Sequence, residues 1–198
     1  MVLRSEEIVN LLQAGDQSDP LVITPQPGLE SLRVSGSASV NLRLGTWLLK
    51  LQQNKSSHIE IGSSANSALT KTYYVPFGKK FMLHPRSFIL GATIEWIRLP
   101  KNLAGYVIGR SSWGRRGLLI ATATGVHPGF TGCLTLEITN VGEMPIELMP
   151  GLEICQLFLH DARGPLEYAD KSNFVGLRRP TLGKIEVDEV AKKLMAST

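Results

Sequence analysis

No stretch between residues 21 and 160 keeps a helical hydrophobic period for long. Short apolar or alternating runs appear instead at 21–24, 39–44, 46–51, 58–61, 72–75, 80–83, 87–99, 105–108, 118–122, 132–139, 144–148 and 151–159. They are cut roughly every 8–12 residues by Gly, Pro, Asn and Ser. Alternation sends successive side chains to opposite faces of a strand, so each run can bury one face only against another sheet. The pattern predicts an all-β domain, a sandwich or barrel. A chain of 198 residues is enough for one domain with a full core. No repeat, low-complexity tract or long linker divides it, so residues 1–198 are read as a single domain.

The two ends differ from this middle. Ile8, Leu11 and Leu12 recur at helical spacing before Gly15, which predicts a short amphipathic helix over 6–14. After Asp161-Ala162-Arg163-Gly164-Pro165 the strand pattern stops. Residues 161–198 are read as an arm or lid, with Val187, Val190, Ala191 and Leu194 lining one face of a terminal helix. The Ser- and Ala-rich stretch 62–71 is expected to be a mobile loop.

Charge narrows the partners. The formal net charge is +4 and no five like charges run together, so a groove tracking nucleic acid is not expected. No apolar run reaches ~18 residues, and the first residues carry Glu6 and Glu7 where a signal peptide needs bases. The expectations are no membrane partner and a cytoplasmic location. Cys133 and Cys155 lie in apolar strand-like runs with no C-x-x-C spacing, which suits buried free thiols.

Three segments carry possible chemistry. On the strand at 132–139, Leu134, Leu136 and Ile138 share one face, and Cys133, Thr135, Glu137 and Thr139 the other. Glu137 is either a solvated polar-face residue or a general acid/base on a rigid element. The turn Gly109-Arg110-Ser111-Ser112-Trp113-Gly114-Arg115-Arg116-Gly117 offers hydroxyls, backbone N–H groups and guanidinium groups. It is either an exposed basic turn or a phosphate cradle; it lacks P-loop spacing. Gly125-Val126-His127-Pro128-Gly129-Phe130-Thr131-Gly132 forms a turn at the mouth of the Glu137 strand. His58, His84, His127 and His160 have no zinc-ligand spacing, so no metal site is expected and water must be activated by a side chain.

Taken in order, Ser39-Val40-Asn41-Leu42-Arg43-Leu44-Gly45, the turn at 109–117, the turn at 125–132, Leu136-Glu137-Ile138-Thr139-Asn140-Val141-Gly142 and Pro150-Gly151-Leu152-Glu153-Ile154-Cys155-Gln156-Leu157 resemble the dCTP deaminase/dUTPase superfamily. The resemblance spans roughly residues 3–160. It implies a distorted β-barrel with short peripheral helices, a homotrimer with nucleotide sites between subunits, and Mg²⁺ that accompanies the triphosphate. It also implies hydrolysis of dCTP to dUTP and ammonia. In that reading Glu137 is the general acid/base, Ser111 positions the water, Arg115 steadies the carboxylate and the base, and the Ala123 carbonyl helps hold the water.

Arg110, Ser111, Ser112, Arg115, His127, Thr135, Phe174 and Arg178 are the implied nucleotide contacts. The chain departs from the family pattern at three places: His127 stands where Asp is usual, Asn41 likewise replaces Asp, and Leu177 replaces a tail Gln. Two further readings accompany the first. One is dUTP diphosphatase activity, alone or combined with deamination. The other is a nucleotide-binding regulatory homologue with altered catalysis.

Overall fold

The computed structural model describes residues 1–14, 18–52, 58–59, 69–122, 125–163, 176–183 and 187–196. In chain order the elements are α1 (Ser5–Gln13), β1 (Val22–Thr24), α2 (Leu29–Ser35), β2 (Ser39–Leu51), β3 (Thr70–Tyr74), β4 (Phe81–Leu83), β5 (Phe88–Arg98), β6 (Leu103–Gly109), α3 (Ser111–Gly114), β7 (Leu118–Ile120), β8 (Gly125–Val126), β9 (Thr131–Asn140), β10 (Ile146–Leu148), β11 (Glu153–Asp161) and α4 (Glu189–Ala196).

One sheet runs in the order β7-β9-β5-β2-β11-β6-β8, with β1 added to β5 and β3 to β2. Every named pairing is antiparallel. The sheet curls until β7 comes round against β6: a Cβ added to Gly109 would lie 3.2 Å from Ile120 Cγ1. The expected distorted barrel is therefore present, with β4 and β10 as a separate two-stranded ribbon.

The curl has a local cause. Across β5 and β9 the partners step from Ala92↔Thr135 to Trp96↔Cys133, so β5 carries extra residues in a bulge. Bulges bend a strand and increase its twist. The Thr93 hydroxyl repairs the interrupted ladder, accepting from Leu134 N–H at 3.0 Å and donating to the Glu95 carbonyl at 2.8 Å. At the bulge the chain also buries a charge. Glu95 is 2% exposed, and its carboxylate accepts from Arg43 N–H at 2.8 Å and Arg43 Nε at 2.7 Å. Both carboxylate oxygens are used, as a charge withdrawn from water requires.

Inside the barrel lie Leu42, Leu44, Leu48, Ile89, Ile97, Leu136, Ile138, Leu157 and Leu159, each at most 1% exposed. Ile8 and Val9 of α1 are fully buried, which explains the helical spacing read near the start of the chain. Three differences from the sequence reading stand out. The runs at 39–44 and 46–51 form one strand, because Gly45 lies against the β5 backbone, where a Cβ would come within 2.8 Å of the Ala92 carbonyl oxygen. Helix α2 was not foreseen; its sequence, Leu-Glu-Ser-Leu-Arg-Val-Ser, is too short to establish a period. In α4 the expected apolar face is not covered, since Val190 and Leu194 are each 67% exposed.

His58 and Ile59 are not in a strand, and the rest of the run at 58–61 lies outside the described residues. So does most of the expected loop at 62–71, of which Thr70 and Lys71 open β3. No described helix is long and apolar enough to cross a membrane.

Both cysteines are buried and unpaired. Burial pushes the Cys155 thiol up to about 12 and raises Cys133, against which the positive charge of Arg178 works in the opposite direction. A thiol both covered and held protonated is a poor nucleophile. At pH 8 the folded protein should give almost no rapid reaction with a thiol-disulfide reagent, and two equivalents after denaturation. Fast modification of either cysteine in the native state would contradict this packing.

Candidate active site

Strand β9 alternates as its sequence suggested. Leu134, Leu136 and Ile138 are buried, while Thr135, Glu137 and Thr139 are half-buried on the other face. One edge of β9 is covered along its length by β5. The other edge is divided.

β7 pairs only with residues 138–140. The chain then continues alongside, with Ala121 N–H donating to the Glu137 carbonyl at 2.8 Å and Glu137 N–H donating to Thr122 Oγ1 at 3.1 Å. At the opposite end of the same edge the C-terminal arm docks. Gly176 N–H donates to the Thr131 carbonyl at 2.6 Å, and Cys133 N–H donates to the Leu177 carbonyl at 2.8 Å. In an antiparallel strand alternate residues point their N–H and C=O to the same side. Residues 131, 133, 135 and 137 therefore all face this edge. Among the described residues, only Thr135 has no strand or arm laid against it here.

The arm is held by more than these two bonds. The Arg179 guanidinium lies 3.9 Å from the centroid of the Trp47 ring, and Trp47 packs on Tyr74 at 4.9 Å. Pro180 is buried. Residues 176–179 of the expected arm thus lie against β9 and β2 of their own chain. Leu177, one of the departures noted above, contributes its backbone carbonyl. Arg178 is exposed and close enough to Cys133 to affect the thiol.

The Ser111 turn becomes the short helix α3. Trp113 and Gly114 N–H both return to the Arg110 carbonyl at 3.0 Å. As the first positions of a helical turn, Ser111 and Ser112 have N–H groups with no partner inside it. Both side chains are exposed, as is Arg115. Arg116 folds back, donating to the Ser112 carbonyl at 2.7 Å. The turn is tied to the far end of β9, where Val141 N–H donates to the Gly117 carbonyl at 2.8 Å.

Among the described residues the Glu137 carboxylate, the Arg115 guanidinium and the Ser111 hydroxyl form no hydrogen bond or ion pair. A single chain does not pair Glu137 with Arg115. Arg110 does have a partner, since it forms an ion pair with Glu153. His127 is exposed in the turn before β9, where its carbonyl accepts from Phe130 N–H at 3.1 Å. Ala123 and Phe174 lie outside the described residues. No group of three or more His, Cys, Asp or Glu among the described residues is placed to hold a metal ion.

The sequence reading missed the side chains that brace these elements. Asn41 Nδ2 donates to Glu153 Oε2 at 3.0 Å, and Asn41 Oδ1 accepts from Gln156 Nε2 at 3.1 Å. This explains the departure at 41, because an aspartate there would set carboxylate against carboxylate. Asn140, 0% exposed, donates to the carbonyls of Leu83 at 2.9 Å and Met144 at 2.8 Å and accepts from Gly142 N–H at 2.9 Å.

Gly132 is where arm and strand touch. Its φ is +145°, and an added Cβ would sit 3.2 Å from the Leu177 carbonyl oxygen and 3.3 Å from the Gly176 nitrogen. Gly132→Ala should lift the arm from β9, with a stability loss of roughly 1–3 kcal/mol. Urea unfolding would measure the loss, and hydrogen exchange at the Cys133 amide would report the lifting. Unchanged exchange there would mean that the arm does not protect this edge in solution.

Comparison with known proteins gives one consistent result. The family described as dCTP deaminase-like matches residues 2–162. A protein of Dictyoglomus thermophilum named dCTP deaminase, dUMP-forming, is 33% identical over 98% of this chain and 99% of its own length. One of Halorubrum lacusprofundi named dCTP deaminase is 37% identical, covering 83% of this chain and 79% of its own. Among solved structures, the 2′-deoxycytidine 5′-triphosphate deaminase of Agrobacterium tumefaciens superposes with a TM-score of 0.59 at 20% identity, over 81% of this chain and 46% of that one. At that identity the likeness speaks for the fold alone.

Proposed function

Since the chain belongs to the dCTP deaminase-like family and is an enzyme, we propose that it hydrolyses dCTP at C4 of the cytosine, with Glu137 as the general acid/base. The observation that carries the reading is the Glu137 carboxylate itself. It is half-buried, free of partners among the described residues, and mounted on a strand whose backbone is fixed on both sides. Two residues away, Thr135 offers a backbone N–H and C=O on an open edge, the complement that a pyrimidine edge requires.

In this mechanism Glu137 takes a proton from water and the hydroxide forms a bond to C4. The carboxyl group passes that proton to N3. It then collects the second proton of the attacking oxygen and delivers it to the exocyclic nitrogen, the C4–N4 bond breaks, and ammonia leaves. Such a group must lose and regain a proton in each turnover.

Ser111 positions the water with the Ala123 carbonyl, Arg115 steadies the carboxylate and the base, and Ser112, Arg110 and Arg178 hold phosphate oxygens through charge-assisted bonds. His127 and Phe174 border the sugar and the base. Because one chain does not pair Glu137 with Arg115, the complete site draws the two from neighbouring subunits of a homotrimer. The substrate is the Mg²⁺ complex of the triphosphate, and the enzyme acts in the cytoplasm.

A second reading adds diphosphate release, so that the product is dUMP. It is favoured by the Dictyoglomus relative, whose name states that product. His127, standing where the superfamily usually has Asp, favours dUTP as the final product.

The wild-type protein given dCTP should release ammonia. Glu137→Gln should still bind the nucleotide but lose activity by roughly 10²- to 10⁴-fold. Undiminished ammonia release by the variant would discard the mechanism. Pyrophosphate formed in step with ammonia would establish the second reading, and its absence would establish dUTP.

A further inference from the structure

Among the described residues, Arg110 is the one cation of the Ser111 turn that holds an anion. Its Nη1 pairs with Glu153 Oε2, and the two side chains keep 34% and 45% of their accessible surface. Glu153 begins β11 at an irregularity where the partners in β2 jump from Glu153↔Arg43 to Cys155↔Leu42. Its side chain is aimed by Asn41, whose Nδ2 donates to the same oxygen at 3.0 Å and whose Oδ1 is fixed by Gln156. The Glu153 backbone accepts from Trp113 Nε1 at 2.9 Å, so the main chain ties down the turn independently of the carboxylate.

From this we infer that Glu153 is a resident counter-anion for Arg110, which the phosphates of the substrate displace. The inference rests on the phosphate-binding reading of the Ser111 turn. An exposed pair of this kind is weak and screened by solvent, so it can exchange. Meanwhile it holds the guanidinium at the start of β11 instead of loose in water. A guanidinium carries five donors, and Glu153 engages it through Nη1 alone, so an incoming phosphate can bind the remaining donors before the carboxylate swings away. No covalent bond is made or broken in the exchange; the Arg110–Glu153 ion pair is replaced by Arg110–phosphate bonds. Glu153 acts through Arg110 and is a positioning residue, and the pair sets an opposing contribution to polyphosphate affinity.

The test uses inorganic tripolyphosphate, followed by calorimetry on the full-length protein, beside the KM and kcat for dCTP. Glu153→Gln preserves an acceptor for Asn41 and leaves the backbone bond to Trp113 in place. It should bind tripolyphosphate roughly two- to fivefold more tightly, with the change carried by KM more than by kcat. Glu153→Asp should return toward the wild-type value. A second variant, Asn41→Asp, adds a carboxylate beside Glu153 and should weaken tripolyphosphate binding.

Equal or weaker binding by Glu153→Gln would overturn the inference and make Glu153 a fixed anchor of Arg110. If Glu153→Gln does not fold, Asn41→Asp decides, and undiminished binding there overturns it. A wild-type protein that binds no tripolyphosphate at all would remove the phosphate-site reading, and this inference would fall with it.

Discussion

The site depends on how the two edges of β9 are occupied. One edge is closed by β5 along its whole length, and the other is divided between β7, the Ala121–Thr122 continuation and the C-terminal arm. Unpaired strand edges invite other chains, and folds usually cover or shorten them. Among the described residues the cover stops on either side of Thr135. The remaining opening has the size of one residue's backbone groups and lies two residues from the only carboxylate of the strand. An extended edge would recruit another strand, whereas a gap of one residue is too short to pair with one.

Barrel and site are connected through the bulge in β5. The same irregularity that bends the sheet sends Glu95 inward to Arg43 and leaves Thr93 to repair the ladder to Leu134. A buried ion pair of this type adds little net stability, because desolvation consumes most of the attraction. Losing one partner is far more costly, so the pair fixes which way the bulge can turn. The fold thereby specifies the register of β9 and the height at which Glu137 emerges.

Much of this was legible in the chain. Strict alternation in Leu134-Thr135-Leu136-Glu137-Ile138 placed Glu137 on the correct face, and the Gly- and Pro-marked turns separated most strands correctly. Alternation reads only local geometry, though. It could not reveal that Arg110 pairs with Glu153, 43 positions away, or that Asn41 lies between Glu153 and Gln156. A charged residue at the start of an apolar run reads simply as the beginning of a strand. Nor could it place the arm on β9, since that contact uses backbone groups of Gly176 and Leu177, whose side chains carry no such instruction. The departure at Leu177 looked more consequential in the sequence than in the fold for the same reason.

Asn140 gives β9 a second fixed point. Its amide is spent on Leu83, Met144 and Gly142, which clamps the end of the strand to the β4–β10 ribbon while the arm clamps the beginning. Glu137 thus lies between two hydrogen-bonded ends, and its side-chain dihedrals are free of partners among the described residues. Restricting those rotamers costs only about 1.5–2 kcal/mol. The carboxyl group can therefore change direction without deforming the sheet that carries it.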